Sequence, residues 1–115
     1  MINNAGTNFP KNILELSLDD WERLMAVDLT SIFLMARAFL PALIEQDGRG
    51  AMVNMSSTFG LMGFPDVPVY SAARGGVISL TRQLAVDFGP RGVRVNAVCP
   101  GPTLSPRVEG YLARE

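Results

Sequence analysis

Residues 51–98 pass from one periodicity to another and back, which restricts the chain's possible folds more than any other feature. The run Ala51-Met52-Val53-Asn54-Met55 reads as a strand and ends at Ser56-Ser57. A loop with Gly60, Gly63, Pro65 and Pro68 follows. A helical pattern then runs from about Tyr70 to Phe88, with Val77, Leu80, Leu84 and Phe88 on its inner face. Gly89-Pro90 stops it, and Gly92 to Val98 reads as a second strand. A helix joining two neighbouring strands makes them parallel, with a right-handed crossover.

The preceding segment repeats the scheme. Met1-Ile2 reads as the tail of a strand, running into a turn at Asn-Asn-Ala-Gly. Ser17 can cap a helix, and Asp19 and Asp20 put negative charge at the positive end of its dipole. Trp21, Leu24, Met25, Leu29, Ile32, Phe33, Ala36, Phe39, Leu40 and Leu43 recur at steps of three and four, giving a wide apolar face. Pro41 is expected to kink or shorten this helix, and Gln46-Asp47-Gly48 to end it. The order strand, helix, strand, helix, strand predicts an α/β fold, with about three parallel strands and two long helices in a partial doubly wound sheet. Gly75 and Gly76 let the second helix approach a neighbour closely. Thr103 to Glu115 is polar and weakly patterned, and no repeat, low-complexity run or linker divides residues 1–115.

Within this frame one stretch carries chemistry. Arg74 lies one turn after Tyr70 on the same helix face. A phenol ordinarily keeps its proton at neutral pH, and a cation one turn away favours its release. A serine on the facing loop, Ser57 in preference to Ser56, can hydrogen-bond the same substrate oxygen. Such an arrangement suits proton transfer at a carbonyl or carbinol oxygen.

Composition narrows the partners. A net charge of −1, with nine arginines scattered along the chain, gives no field for nucleic acid or an anionic membrane. The single Cys99 forms no internal disulfide, and with no histidine there is little material for a metal site. The N-terminus lacks the pattern of a secretory signal, so cytoplasm is the default compartment. The apolar stretch from Ile32 to Ile44 is broken by Arg37 and Pro41 and is too short to cross a bilayer.

Asn3-Asn4-Ala5-Gly6, the serine pair after Val-Asn-Met, Tyr70-Ser71-Ala72-Ala73 and Pro100-Gly101 resemble, in order and spacing, the motifs of the short-chain dehydrogenase/reductase family. The resemblance covers the chain from end to end and implies a Rossmann-like domain. It selects Ser57, thirteen residues before Tyr70, as the active serine. It further implies NAD or NADP as cofactor, a small carbonyl or alcohol substrate, and catalytic roles for Ser57, Tyr70, Arg74 and Asp28. Asn4, Ala5, Gly6, Tyr70, Arg74, Pro100, Gly101 and Thr103 would line the cofactor. The family's Gly-rich pyrophosphate turn, G-x-x-x-G-x-G, is missing, so the chain is expected to be a fragment that binds dinucleotide weakly by itself. In the family the two long helices also meet their copies in another subunit, which implies a homo-oligomer through residues 18–46 and 70–88.

Two positions depart from the family pattern. Where it has lysine, this chain has Arg74, and its one lysine is Lys11. Arginine keeps the charge and almost never releases its proton, so a proton relay through it is not expected. Where the family often has asparagine in the first long helix, this chain has Asp28. A surface arginine at 74 and an ordinary solvated aspartate at 28 are the competing readings. The bland alternatives are Tyr70 as a packing residue at a helix start, Ser57 as a turn former, residues 4–6 as a plain strand-ending turn, and Thr103 as part of a loop. A catalytically silent relative acting through subunit contacts, or a truncated gene product, are the alternatives to an enzyme.

Overall fold

The computed structural model describes residues 1–113, and Arg114 and Glu115 lie outside the described residues. Three parallel strands, β1 (Ile2–Asn3), β2 (Gly50–Met55) and β3 (Val93–Val98), pair in the order β1-β2-β3. The register sets Ile2 opposite Val53 and Gly50 opposite Val93. The helices are α1 (Leu18–Met25), α2 (Ser31–Ile44), α3 (Pro68–Phe88) and a short α4 (Pro106–Leu112). This is the expected α/β architecture.

Both crossovers step in the same direction along the sheet, and two right-handed crossovers of that kind place their helices on one face. The packing agrees. Ala36, Leu40 and Leu43 of α2, with Leu84, Ala85 and Phe88 of α3, close over Met52, Val93 and Val95. In β3 the inward Val93 and Val95 are buried, while the intervening Arg94 and Asn96 are exposed. The described residues thus make one half of a doubly wound sheet, with helices on a single side.

α1 starts at a reciprocal capping box. The Ser17 hydroxyl accepts from the Asp20 N–H at 3.0 Å, and the Asp20 carboxylate accepts from the Ser17 N–H at 3.2 Å. The expected single helix is interrupted between α1 and α2 by a π turn, Ala26–Thr30, and not at Pro41, which lies inside α2. At the turn's end the Ser31 N–H reaches back five residues to the Ala26 carbonyl. That register releases the Val27 carbonyl, which the Ser31 hydroxyl takes at 2.6 Å.

Counted through the π turn, Leu18–Ile44 is a 27-residue helical run, long and apolar enough by length and composition alone to cross a membrane. The expectation based on residues 32–44 overlooked that continuity. Its Leu24 packs against Val69 and Ala73 of α3, and its Ala36, Leu40 and Leu43 against Met52, Val93 and Val95 of the sheet.

Further differences from expectation are local. α3 begins at Pro68, two residues before Tyr70, because a proline tolerates the first helical position. The polar stretch after Thr103 contains α4, which apolar periodicity over seven residues is too short to reveal. The turn after α2 reverses through left-handed Asp47 and Gly48, where the sequence placed the helix end.

Candidate active site at the carboxyl rim of the sheet

The sheet's hydrogen bonding continues past the strand ends and gathers the motifs. The Ser56 N–H donates to the Val98 carbonyl at 2.7 Å, and the Thr58 N–H to the Pro100 carbonyl at 3.1 Å. Pro100-Gly101 is thereby held beside the serine pair. The two serines have different duties. Ser56 is no simple turn former, since its buried hydroxyl donates to the Arg74 carbonyl at 2.7 Å and fastens β2 to α3. Ser57 makes the turn bond, accepting from the Phe59 N–H at 3.1 Å, and its own proton stays free to be donated.

Phe59 is the link to Tyr70. Its ring stacks on Phe64, with centroids 4.5 Å apart, and meets Tyr70 edge-on at 6.2 Å. Tyr70 is half-buried, packing against Leu24, Val69 and Ala73. Among the described residues its hydroxyl has no hydrogen-bond partner, and neither does it bond Ser57. Phe59 of the Thr58–Gly60 turn thus touches both residues, Ser57 through its N–H and Tyr70 through its ring.

Arg74 is 6% exposed, which removes the surface-arginine reading. Its Nη1 donates to the Met55 carbonyl at 2.6 Å, Nη2 lies 3.3 Å from Asp28 Oδ2, and Cζ sits 5.1 Å from the centre of the Tyr70 ring. The guanidinium therefore faces the π surface of the phenol, a cation–π contact. Gly6 makes room for it: a Cβ there would collide with Arg74 Nη2. The space beside Gly6, expected to line the cofactor, is thus approached by this side chain.

Asp28 is fully buried, so the solvated-aspartate reading is also wrong. The π turn sets it on the inner side of the helix, where Oδ1 accepts from the Thr7 N–H at 2.7 Å. Burial pushes its carboxyl pKa up, opposed by the Thr7 N–H and by the Arg74 and Arg107 charges. Among the described residues, Asp28 Oδ2 and Arg74 Nε are buried without a hydrogen bond.

The remaining predicted residues sit on the rim. Asn4, Ala5, Gly6 and Gly101 are exposed there, and the exposed Thr103 turns its hydroxyl onto the Gly101 carbonyl at 3.2 Å. Two surface hollows lie elsewhere, one lined by Gly48, Gly89 and Gly92, the other by Arg37, Pro41 and Phe88.

One feature escaped the sequence reading. Asn3 Nδ2 donates to Asn54 Oδ1 at 2.8 Å, Asn54 Nδ2 to Thr81 Oγ1 at 3.0 Å, and Thr81 Oγ1 to the Val77 carbonyl at 2.7 Å. This buried polar line ties β1, β2 and α3 together directly below the rim. The signal was Asn54 itself, a lone polar residue on the inward side of an apolar strand.

The family profile described as short chain dehydrogenase matches residues 1–114. The 2-(S)-hydroxypropyl-CoM dehydrogenase 3 of Xanthobacter autotrophicus is 43% identical over 105 residues, which are 91% of this chain and 41% of the relative. A protein of the same organism named inactive 2-(S)-hydroxypropyl-CoM dehydrogenase 2 is also 43% identical over 105 residues, 91% of this chain and 45% of that one. A solved 4-hydroxyisoleucine dehydrogenase complexed with NADH and succinate superposes with a TM-score of 0.82 at 35% identity, covering 87% of this chain and 47% of the other. The chain spans less than half the length of each of these relatives. With its motifs gathered at one rim and the profile matched almost end to end, the chain belongs to the short chain dehydrogenase family.

Proposed function

We propose that the chain carries the proton-transfer residues of an NAD(P)-dependent oxidoreductase acting on a small carbonyl or alcohol. What supports this reading is that Phe59 links Ser57 and Tyr70 at the sheet's carboxyl rim, where ligands bind in such folds, its N–H bonded to the Ser57 hydroxyl and its ring edge-on to Tyr70. In carbonyl reduction Tyr70 donates its hydroxyl proton to the substrate oxygen, while the Ser57 hydroxyl donates a hydrogen bond to the same oxygen. Arg74 packs under the phenol ring and holds it in place. In alcohol oxidation the proton returns to Tyr70.

A bound nicotinamide would supply or accept the hydride. The residues present fit its nicotinamide end. A Cβ built on Gly101 meets nothing nearer than Thr58 Cγ2 at 3.9 Å, so the backbone there is open to a ring. Pro100, Gly101 and Thr103 would hold that end, and Asn4, Ala5 and Gly6 would flank the ribose side. The sequence has no Gly-rich phosphate turn, so weak dinucleotide binding by this chain is part of the proposal.

A second copy of the chain is the proposed partner. Phe33, Leu34, Met35 and Phe39 of α2 are each at least 41% exposed, an apolar strip of the kind that marks an interface. Sedimentation of Phe39→Glu as a smaller species than the unsubstituted chain supports this. Identical sedimentation refutes it.

The enzymatic reading is tested by nicotinamide absorbance, at high cofactor concentration, with a panel of ketones and secondary alcohols. Tyr70→Phe is expected to lower turnover by roughly 10²–10⁴-fold, the usual weight of a positioned acid–base group. Equal rates remove Tyr70 from the mechanism. No turnover by a form of the protein that binds nicotinamide removes the reading in favour of a silent relative, for which dehydrogenase names among the relatives give less support.

A further inference from the structure

We infer that Asp28 is a positioning residue for Tyr70: its carboxylate anchors the Arg74 guanidinium against the phenol ring, so that residues 28 and 74 act as one unit. This rests on the reading of Tyr70 as the proton donor, but the anchoring itself is independent of turnover.

Four surfaces fix the guanidinium. Met55 O accepts from Nη1 at 2.6 Å, Asp28 Oδ2 faces Nη2 at 3.3 Å, Gly6 backs Nη2, and the Tyr70 ring lies 5.1 Å from Cζ. The Thr7 N–H, 2.7 Å from Oδ1, orients the carboxylate so that its other oxygen meets the cation. A planar fork can hydrogen-bond an acceptor at one end and set the other beside a carboxylate while presenting its face to an aromatic ring. A lysine ammonium is a point charge and cannot reach all of these at once. Arginine at 74 and aspartate at 28 are therefore mutually dependent, and the π turn that buries Asp28 has a purpose at the site.

The test is nuclear magnetic resonance of ¹⁵N-labelled full chain, with Arg74→Lys used to assign the Arg74 signals. Resolved Nη signals, from slow guanidinium rotation, are expected in the unsubstituted chain. Asp28→Asn should accelerate that rotation roughly tenfold, as one charge-assisted contact is lost, and should shift the Tyr70 ring resonances. Asp19→Asn, which removes an exposed ion pair with Arg23, should change neither. Averaged Nη signals in the unsubstituted chain overturn the inference, as do unchanged Tyr70 resonances in Asp28→Asn. Should Asp28→Asn not fold, Tyr70→Leu replaces it, since removal of the half-buried ring must shift the Arg74 signals if the two are in register. Loss of the role of Tyr70 as proton donor would appear separately, as equal turnover in Tyr70→Phe.

Discussion

Arg74 Nη2 lies 3.3 Å from Asp28 Oδ2 with neither side chain more than 7% exposed, so one buried ion pair joins the π turn of the first helical run to α3. Breaking such a pair leaves an uncompensated charge inside, which costs more than the pair itself contributes. Asp28→Ala and Arg74→Ala should each destabilise the chain by about 3–5 kcal/mol. The double substitution should cost clearly less than the sum. Urea midpoints for the three variants check this, and additive losses would show that the two charges do not interact.

The Asn3–Asn54–Thr81 line makes a second prediction. Asn54 gives one hydrogen bond and receives another, both buried. Asn54→Leu keeps the volume but strands the Asn3 amide and removes a donor from Thr81. Each stranded buried group costs about 1–3 kcal/mol. A lowered melting temperature is expected, larger than that of Asn96→Leu on the exposed side of β3. Equal shifts would mean that water satisfies the line.

Most of the architecture was legible because short strand-like apolar runs flank a helical pattern of period 3.6 between Ala51 and Val98. The boundaries were less so. Pro68 looked like a loop residue because proline at a first helical turn and proline in a loop read alike. The π turn at Ala26–Thr30 left no compositional mark, as it depends on one extra residue in a helix whose apolar periodicity simply shifts phase. The site was legible as a set of positions and illegible as a set of contacts. Nothing in residue types alone says that Arg74 turns inward to Asp28 and Gly6, or that Ser56 reaches across to the helix while Ser57 folds onto its own turn. Those choices are made by the packing of α3 against the rim.

The pH response should show one acidic transition of known sign. The Lys11 side chain, 2.9 Å away, and the Ser17 N–H hold the Asp20 carboxyl down from 3.8 to about 2. A carboxylate with a lowered native pKa adds stability that is present above its unfolded value and is lost as pH falls through the folded one. The Asp20 contribution should therefore fade between about pH 3.8 and 2. Asp20→Asn should be less stable at neutral pH and should flatten the stability profile in that window. An unchanged acid limb would place the acid sensitivity on other groups.

The glycines around α3 give a contrast in which two similar substitutions should differ. A Cβ on Gly60 would lie 2.7 Å from the Arg74 carbonyl carbon and 2.8 Å from its oxygen, both backbone atoms of a packed helix. Neither can move without displacing the Ser56 hydrogen bond to the same carbonyl or the aromatic contact through Phe59. A Cβ on Gly76 would instead lie 2.7 Å from Leu29 Cδ2, the end of a side chain that can rotate away. Replacing glycine by alanine inside a helix also gains roughly 1 kcal/mol of propensity. Gly60→Ala should thus destabilise by about 1–3 kcal/mol, in line with overpacking elsewhere, while Gly76→Ala should be close to neutral. Chemical denaturation of both variants decides the matter. If Gly76→Ala proves the costlier, then the approach of α3 to the π turn, and not its seating on the serine loop, sets the position of Tyr70.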